Sequence, residues 1–395
     1  MKKTLFLLIL AFALCICLVG CSSQVEDTPE ETEPLKGNTG DPAFDDVIPD
    51  EEFVYPENPK KYVVNYIRKM AQTPWTPKTT FQLYGKYQAW SYNLTYLEGT
   101  KYYGPPFLTD SRGTAQEFNN AVVDGVYIGE TNSNCIGSAC YDAVYVSLIQ
   151  VCPSISFEST ADMLPKNETG LLAVGDWNWT ISRSDTQTIM AAHKLSEMAK
   201  YYALLTPGDV VLKHIVAQDA GHARIVSGGP VVYYNSDGSI NVKKSYVTCI
   251  EQTNAWDKTV SHNTTWWVDH MYTFDELYKN NFVPLTPADY TKDVSRAAVT
   301  AKDITTADKI ARARKLEGEI ESNHFITQIT VKIENKEGKT VYEYSEFPNA
   351  KKVYLEDFGY KANILNYESG TYRFTIDVSL SFGTKTVADY TFELE

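Results

Sequence analysis

The chain has only six histidines in 395 residues, and none is arranged as HExxH or at another metal-ligand spacing. Its seven cysteines likewise show no ligand pattern, so neither a metal centre nor a cofactor is expected. Basic charge is scarce: 36 Lys and Arg stand against 50 Asp and Glu, a net charge of −14. That balance argues against nucleic acid as a partner. Internal repeats and heptads are missing, which excludes solenoids and coiled coils. Long apolar runs are missing too, apart from one at the start.

That run reads as a targeting segment. Lys2 and Lys3 precede an apolar stretch, Leu5 to Val19, and Leu18-Val-Gly-Cys21 matches a bacterial lipobox, in which cleavage leaves Cys21 to carry lipid. The stretch is short for a membrane span. Residues 1–20 are therefore expected to leave as a lipoprotein signal, and the protein to work outside the cytoplasm, anchored to the bacterial membrane through lipid. Their loss takes two lysines and no acids, so the charge moves from −14 to −16. Residues 22–58 hold twelve acids, one lysine and five prolines. Such a composition cannot bury enough surface to offset its ordering entropy, which makes 21–58 an acidic, disordered tether.

From Pro59 the composition becomes globular and rich in tyrosine. Apolar spacing predicts helices at Lys61–Met70, at Thr114–Val122 with Ser111 or Thr114 as cap, and across Thr186–Leu205. The aromatic loop Tyr102-Tyr-Gly-Pro-Pro-Phe107 reads as core closure rather than as a groove. After Gly208 the period becomes two. Strands are expected at Asp209–Ala217 and Gly221–Gly228. A hairpin turns over Ser236-Asp-Gly238, and Val247–Thr253 is its returning edge. Met271–Phe282 reads as a short closing helix and turn. Helices followed by an antiparallel meander make an α+β domain over 59–290. Residues 291–313 read as a connector. From 314 to 395, short alternating strands with Gly turns predict an Ig-like β-sandwich without acid/base clusters, a spacer or binding module.

The chemistry concentrates at Asn134–Val151 (NCIGSACYDAVYVSLIQV). Small residues lead into a helix in whose first turn Cys140 sits, where the helix dipole favours thiolate. Cysteine also fills buried helices inertly, so the case needs a base. His222 opens a strand after a glycine, in Gly221-His-Ala-Arg-Ile-Val-Ser-Gly228. The strand Val247-Thr-Cys-Ile-Glu-Gln-Thr-Asn254 returns beside it with polar groups, of which Glu251 or Asn254 could hold the imidazole. Without the signal and Cys21, four cysteines remain: Cys135, Cys140, Cys152 and Cys249. An even number in an oxidising compartment permits disulfides, and a Cys135–Cys140 bridge would mask the nucleophile.

Three blocks in order, SACYDAV, Leu205-Thr-Pro-Gly-Asp-Val-Val211, and GHARIVSGG followed by CIEQTN, resemble the NlpC-type cell-wall cysteine peptidases, which include the CHAP amidases. The resemblance covers residues 135–254. It implies a papain-like core with the cysteine helix packed on a small antiparallel sheet. It also implies a catalytic triad of Cys140, His222 and Glu251, and cell-wall peptide (peptidoglycan) as substrate. Asn134 stands where papain-like enzymes keep an oxyanion-hole amide. The chain departs from the family pattern at Ala139 and Tyr141, where members often carry Asp and Ser, and in the 29 residues that separate His222 from Glu251. Two rival readings stay open: a non-catalytic wall-binding lipoprotein with a degenerate papain-like domain, and a transglutaminase-like or protein-directed cysteine enzyme.

Overall fold

The computed structural model describes residues 52–84, 91–109, 111–132, 134–165 and 168–395. The signal segment, Cys21 and most of the expected tether lie outside them. No helix among the described residues is long and apolar enough to cross a membrane. The described chain is α+β, built mainly from antiparallel sheets around three apolar clusters.

The largest sheet has six strands, all antiparallel. Its order is Trp266–Thr273, Tyr246–Gln252, Ala220–Val231, Val210–Ile215, Val283–Pro287 and Leu171–Ala173. Several helices pack with this sheet in the first cluster, among them Pro59–Ala71 and Cys140–Leu148. The first begins where Asn58 caps the Lys61 N–H at 2.9 Å with proline at the first turn, and it buries Val63, Ile67 and Met70 at helical spacing. In the cysteine helix every residue except Tyr141 is buried, so its stability comes from packing rather than from an amphipathic face.

Three sequence expectations are corrected here. Thr186–Leu205 is two helices, Thr186–Ala191 and Leu195–Tyr202, because the chain breaks at His193. His193 Nε2 accepts from the Asn178 N–H at 3.2 Å, a bond that fixes the ring at the break. The strand Tyr246–Gln252 is interior, not an edge: Trp266–Thr273 continues the sheet beyond it, and the closing helix shrinks to Phe274–Lys279. The hairpin over Ser236-Asp-Gly238 forms with a looser middle: its arms pair regularly only from Val231 and Tyr246 inward, and its tip is held by the Tyr234–Ile240 bridge and by the Asn241 N–H donating to Tyr233 O at 2.8 Å.

A second cluster is aromatic: Trp75, Phe81, Tyr96, Tyr102, Phe107, Phe118 and Tyr127, joined by Cys135 and Ala139. It includes the Tyr102–Phe107 loop, which closes core as its composition suggested. Thr114, not Ser111, caps the helix Ala115–Asn120.

The third cluster lies between a three-stranded sheet (Val299–Lys302, Glu319–Ile326, Ala350–Tyr354) and a four-stranded one (Thr340–Glu346, Gln328–Asn335, Gly370–Leu380, Gly383–Leu394). Alternating burial along Gln328–Asn335 and Gly370–Leu380 is the period-two pattern of the sequence. Within 291–313, the expected connector, Val299–Lys302 pairs with Glu319–Ser322 and Ala307–Ala313 is helical. The expected tether also ends early. Phe53 is buried against this third cluster and bridges Gly383, and the Tyr55 hydroxyl donates to Val151 O at 2.8 Å. Ser381 Oγ donates to Gln150 O just past the cysteine helix, which joins the two halves.

Candidate active site

Cys140 is the first residue of its helix and 8% exposed. The loop before it is held from both sides. Ser138 N–H donates to Pro106 O at 3.2 Å, and the Leu108 N–H donates to Ser138 O at 3.1 Å. A Cβ on Gly137 would lie 2.6 Å from Pro106 O, so only glycine lets these backbones approach. Ser138 Oγ donates to Gln252 Oε1, while Gln252 Nε2 donates to Pro105 O at 2.8 Å. Asp142, buried in the first turn, accepts from the Ala139 N–H at 3.3 Å and pairs with Arg112 Nε at 3.1 Å. Arg112 in turn lies over the Tyr145 ring at 4.1 Å. The helix start is thus fixed before any substrate arrives.

His222 and Glu251 reach the site from neighbouring strands. His222 Nε2 bonds Glu251 Oε2; the imidazole is 17% exposed and the carboxylate 1%. Glu251 accepts two further bonds, from Arg224 Nε at 2.7 Å and from the Tyr272 hydroxyl. Arg224 stacks over Tyr272 at 3.8 Å and over Phe282 at 4.1 Å.

Burial opposes charge on His222. The negative charges of Cys140 and Glu251, and hydrogen bonds to both side chains, outweigh it and raise the pKa from 6.5 to about 9. Burial likewise opposes charge on Glu251, but His222 and Arg224 pull its pKa down from 4.5 to about 2. Tyr272 moves the other way: burial and the Glu251 charge raise it, so it stays protonated and donates. The structure therefore brings Cys140, His222 and Glu251 together in one line. That line favours a positive ring against a negative carboxylate.

The other expected participants fall elsewhere. Asn134 is exposed, its backbone N–H held by Asn132 and its amide donating to Glu130 Oε2 at 3.2 Å. It is pinned to a surface turn and does not serve an oxyanion hole. Asn254 is exposed just past the end of its strand, and Glu251 holds the ring instead. All four cysteines are free, so no bridge masks Cys140. Burial pushes the other three thiols up, Cys135 to about 12, which keeps them protonated. No group of three or more His, Cys, Asp or Glu among the described residues could hold a metal ion.

Sequence reasoning passed over Arg224, Tyr272, Gln252 and Arg112. Arg224 had a signal, since it stands two residues after His222 and so shares its face of the strand. Gln252 had one in its place beside Glu251. Tyr272 and Arg112 had none, because each meets the site through chain folding alone.

No known protein family and no curated protein matches this sequence. A solved structure of PorZ, a surface component of the type-IX secretion system of Porphyromonas gingivalis, is similar at 11% identity and a TM-score of 0.15. It covers 44% of this chain and 23% of that one.

Proposed function

We propose that the chain is a lipid-anchored cysteine amidohydrolase or peptidase of papain-like fold, acting on cell-wall peptide outside the cytoplasm. Its C-terminal pair of sheets would be an Ig-like β-sandwich that acts as a spacer or binding module. The observation that carries the reading is the meeting of Cys140, at its helix start, with a His222 imidazole that Glu251 holds, an acid–base pair made ready beside a nucleophile. The resemblance to NlpC- and CHAP-type enzymes supplies the substrate class.

In this reading the Cys140 sulfur, as thiolate against the imidazolium, attacks an amide carbonyl. His222 then gives its proton to the leaving amine, and later takes one from the water that releases the acyl group. Glu251 accepts from Nε2 and fixes the ring, which leaves Nδ1 as the nitrogen for the sulfur and the leaving group. The Cys140 N–H, at the first helical position, has no partner within its own helix and can hold the developing oxyanion. Asp142 is already bound to Arg112 and the Ala139 N–H. It does not replace the acid that relatives use to read a peptide amine. Stem-peptide selection therefore rests on other groups.

The test is hydrolysis of purified muropeptides by the wild type and by Cys140→Ala, with products identified by mass spectrometry. Peptide-bond cleavage by the wild type alone supports the reading. Equal turnover by the variant rejects it.

A further inference from the structure

Beside these three residues stands a lysine that the triad leaves unused. Lys213, on Val210–Ile215, is the direct cross-strand partner of His222. Partners in an antiparallel pair project to the same face, with Cβ atoms about 5 Å apart. Its side chain is partly buried, with the ammonium 5.5 Å from the centre of the Phe282 ring, the ring that Arg224 also covers. The two cations differ in what neutralises them. Glu251 engages Arg224 and His222, and among the described residues no carboxylate lies within ion-pair distance of Lys213.

An ammonium withdrawn from water without a counter-ion is costly, and an anion arriving from outside relieves that cost. Resting on the hydrolase reading above, we propose that Lys213 is a specificity residue: it binds a carboxylate that the substrate peptide carries within about one residue of the amide attacked by Cys140. The distance follows from the register, since one extended residue spans about 3.5 Å and a lysine side chain covers the remainder. Burial and the neighbouring Arg224 charge lower the pKa of Lys213, and the charges of Cys140 and Glu251 only partly offset them. An incoming carboxylate would restore what those two effects remove. A lysine that served only the sulfur would instead speed its reaction with charged and neutral reagents alike.

That difference gives the experiment. Alkylation of Cys140 in the full chain by iodoacetate and by iodoacetamide is followed by mass spectrometry of the Cys140 peptide. Wild type, Lys213→Met and Lys213→Arg are compared, with Lys213→Gln in reserve should the methionine variant not fold. The ratio of the iodoacetate rate to the iodoacetamide rate is expected to fall about tenfold in Lys213→Met and to hold in Lys213→Arg. An unchanged ratio, equal slowing of both reagents, or a sulfur that neither reagent reaches overturns the assignment. In parallel, peptide pairs that differ only by carboxylate or carboxamide beside the scissile bond are compared by kcat/KM. The wild type is expected to prefer the carboxylate about tenfold, mainly through KM, and Lys213→Met to lose that preference. Hydrolysis without any preference sinks the anion site alone. No hydrolysis, with an alkylation ratio that still depends on Lys213, sinks the hydrolase reading and keeps the anion site.

Discussion

Replacing Glu251 with glutamine keeps the shape of the side chain and an oxygen for Tyr272, but removes the charge that His222 and Arg224 share. The rise of His222 from 6.5 to about 9 corresponds to about 3 kcal/mol of preference for the imidazolium in the folded state, at about 1.4 kcal/mol per tenfold. The fall of Glu251 to about 2 records the same attraction seen from its partner, so the two are counted once. Because the His222 pKa rises on folding, its contribution to stability is complete below about pH 6.5. It disappears as pH climbs through about 9.

In Glu251→Gln the hydrogen bond to Cys140 remains, burial still opposes protonation, and Arg224 now faces the ring unneutralised. The His222 pKa should fall to roughly 7. The stranded guanidinium, only 12% exposed, should cost about 2–4 kcal/mol of stability, with its stacking on Tyr272 and Phe282 limiting the loss. The kcat/KM for muropeptides should drop by about 10²–10³. The assay is an NMR titration of ¹⁵N-labelled histidine, paired with urea unfolding of both proteins at pH 6 and pH 10. The stability gap between them should narrow at the higher pH, where the imidazole is neutral in both. A His222 pKa that stays near 9 in the variant would falsify the charge coupling on which the proposed mechanism depends.

Cys140→Ala should abolish muropeptide hydrolysis while changing urea stability by less than about 1.5 kcal/mol, and should also lower the His222 pKa in the same titration. Gln252→Leu should cost about 1–3 kcal/mol, since it strands Ser138 Oγ in a buried loop, while Pro105 O keeps its bond from Trp266 Nε1; a loss under about 0.5 kcal/mol would show that these bonds do not hold the cysteine loop. His324 is buried against Tyr55 and Phe382, and burial with the Lys351 charge lowers its pKa to about 3. Its contribution is therefore complete above about pH 6.5 and is lost as pH falls toward 3. Relative to wild type, His324→Phe should gain about 3 kcal/mol between pH 6.5 and pH 4 in urea titrations. Parallel stability curves for the two proteins would exclude this role.

Much of the candidate site could be read in the sequence because its parts are local. Small residues, a cysteine and an apolar run announce the helix Cys140–Leu148, and period-two patterns announce the strands that carry His222 and Glu251. The same alternation foretold the C-terminal strands, whose burial alternates residue by residue. Asn134 misled because its distance from Cys140 along the chain says nothing of direction. A surface turn with Glu130 and Asn132 holds its amide away. The break at His193 was hidden because the apolar spacing continues across it, and only the contact with Asn178 reveals it.

By itself, then, the amino-acid order determined which segments are helix or strand and which residue types carry reactive groups, since both depend on neighbours a few positions apart. Tertiary structure alone decided that Glu251 rather than Asn254 faces the imidazole and that Arg224 and Tyr272 share the carboxylate. It also decided that Lys213 stands opposite His222 and that Gln252 reaches 114 residues back along the chain to Ser138. The physical reason is register: a shift of one residue between strands turns each of these side chains to the other face, and that choice is made by burial over the whole sheet.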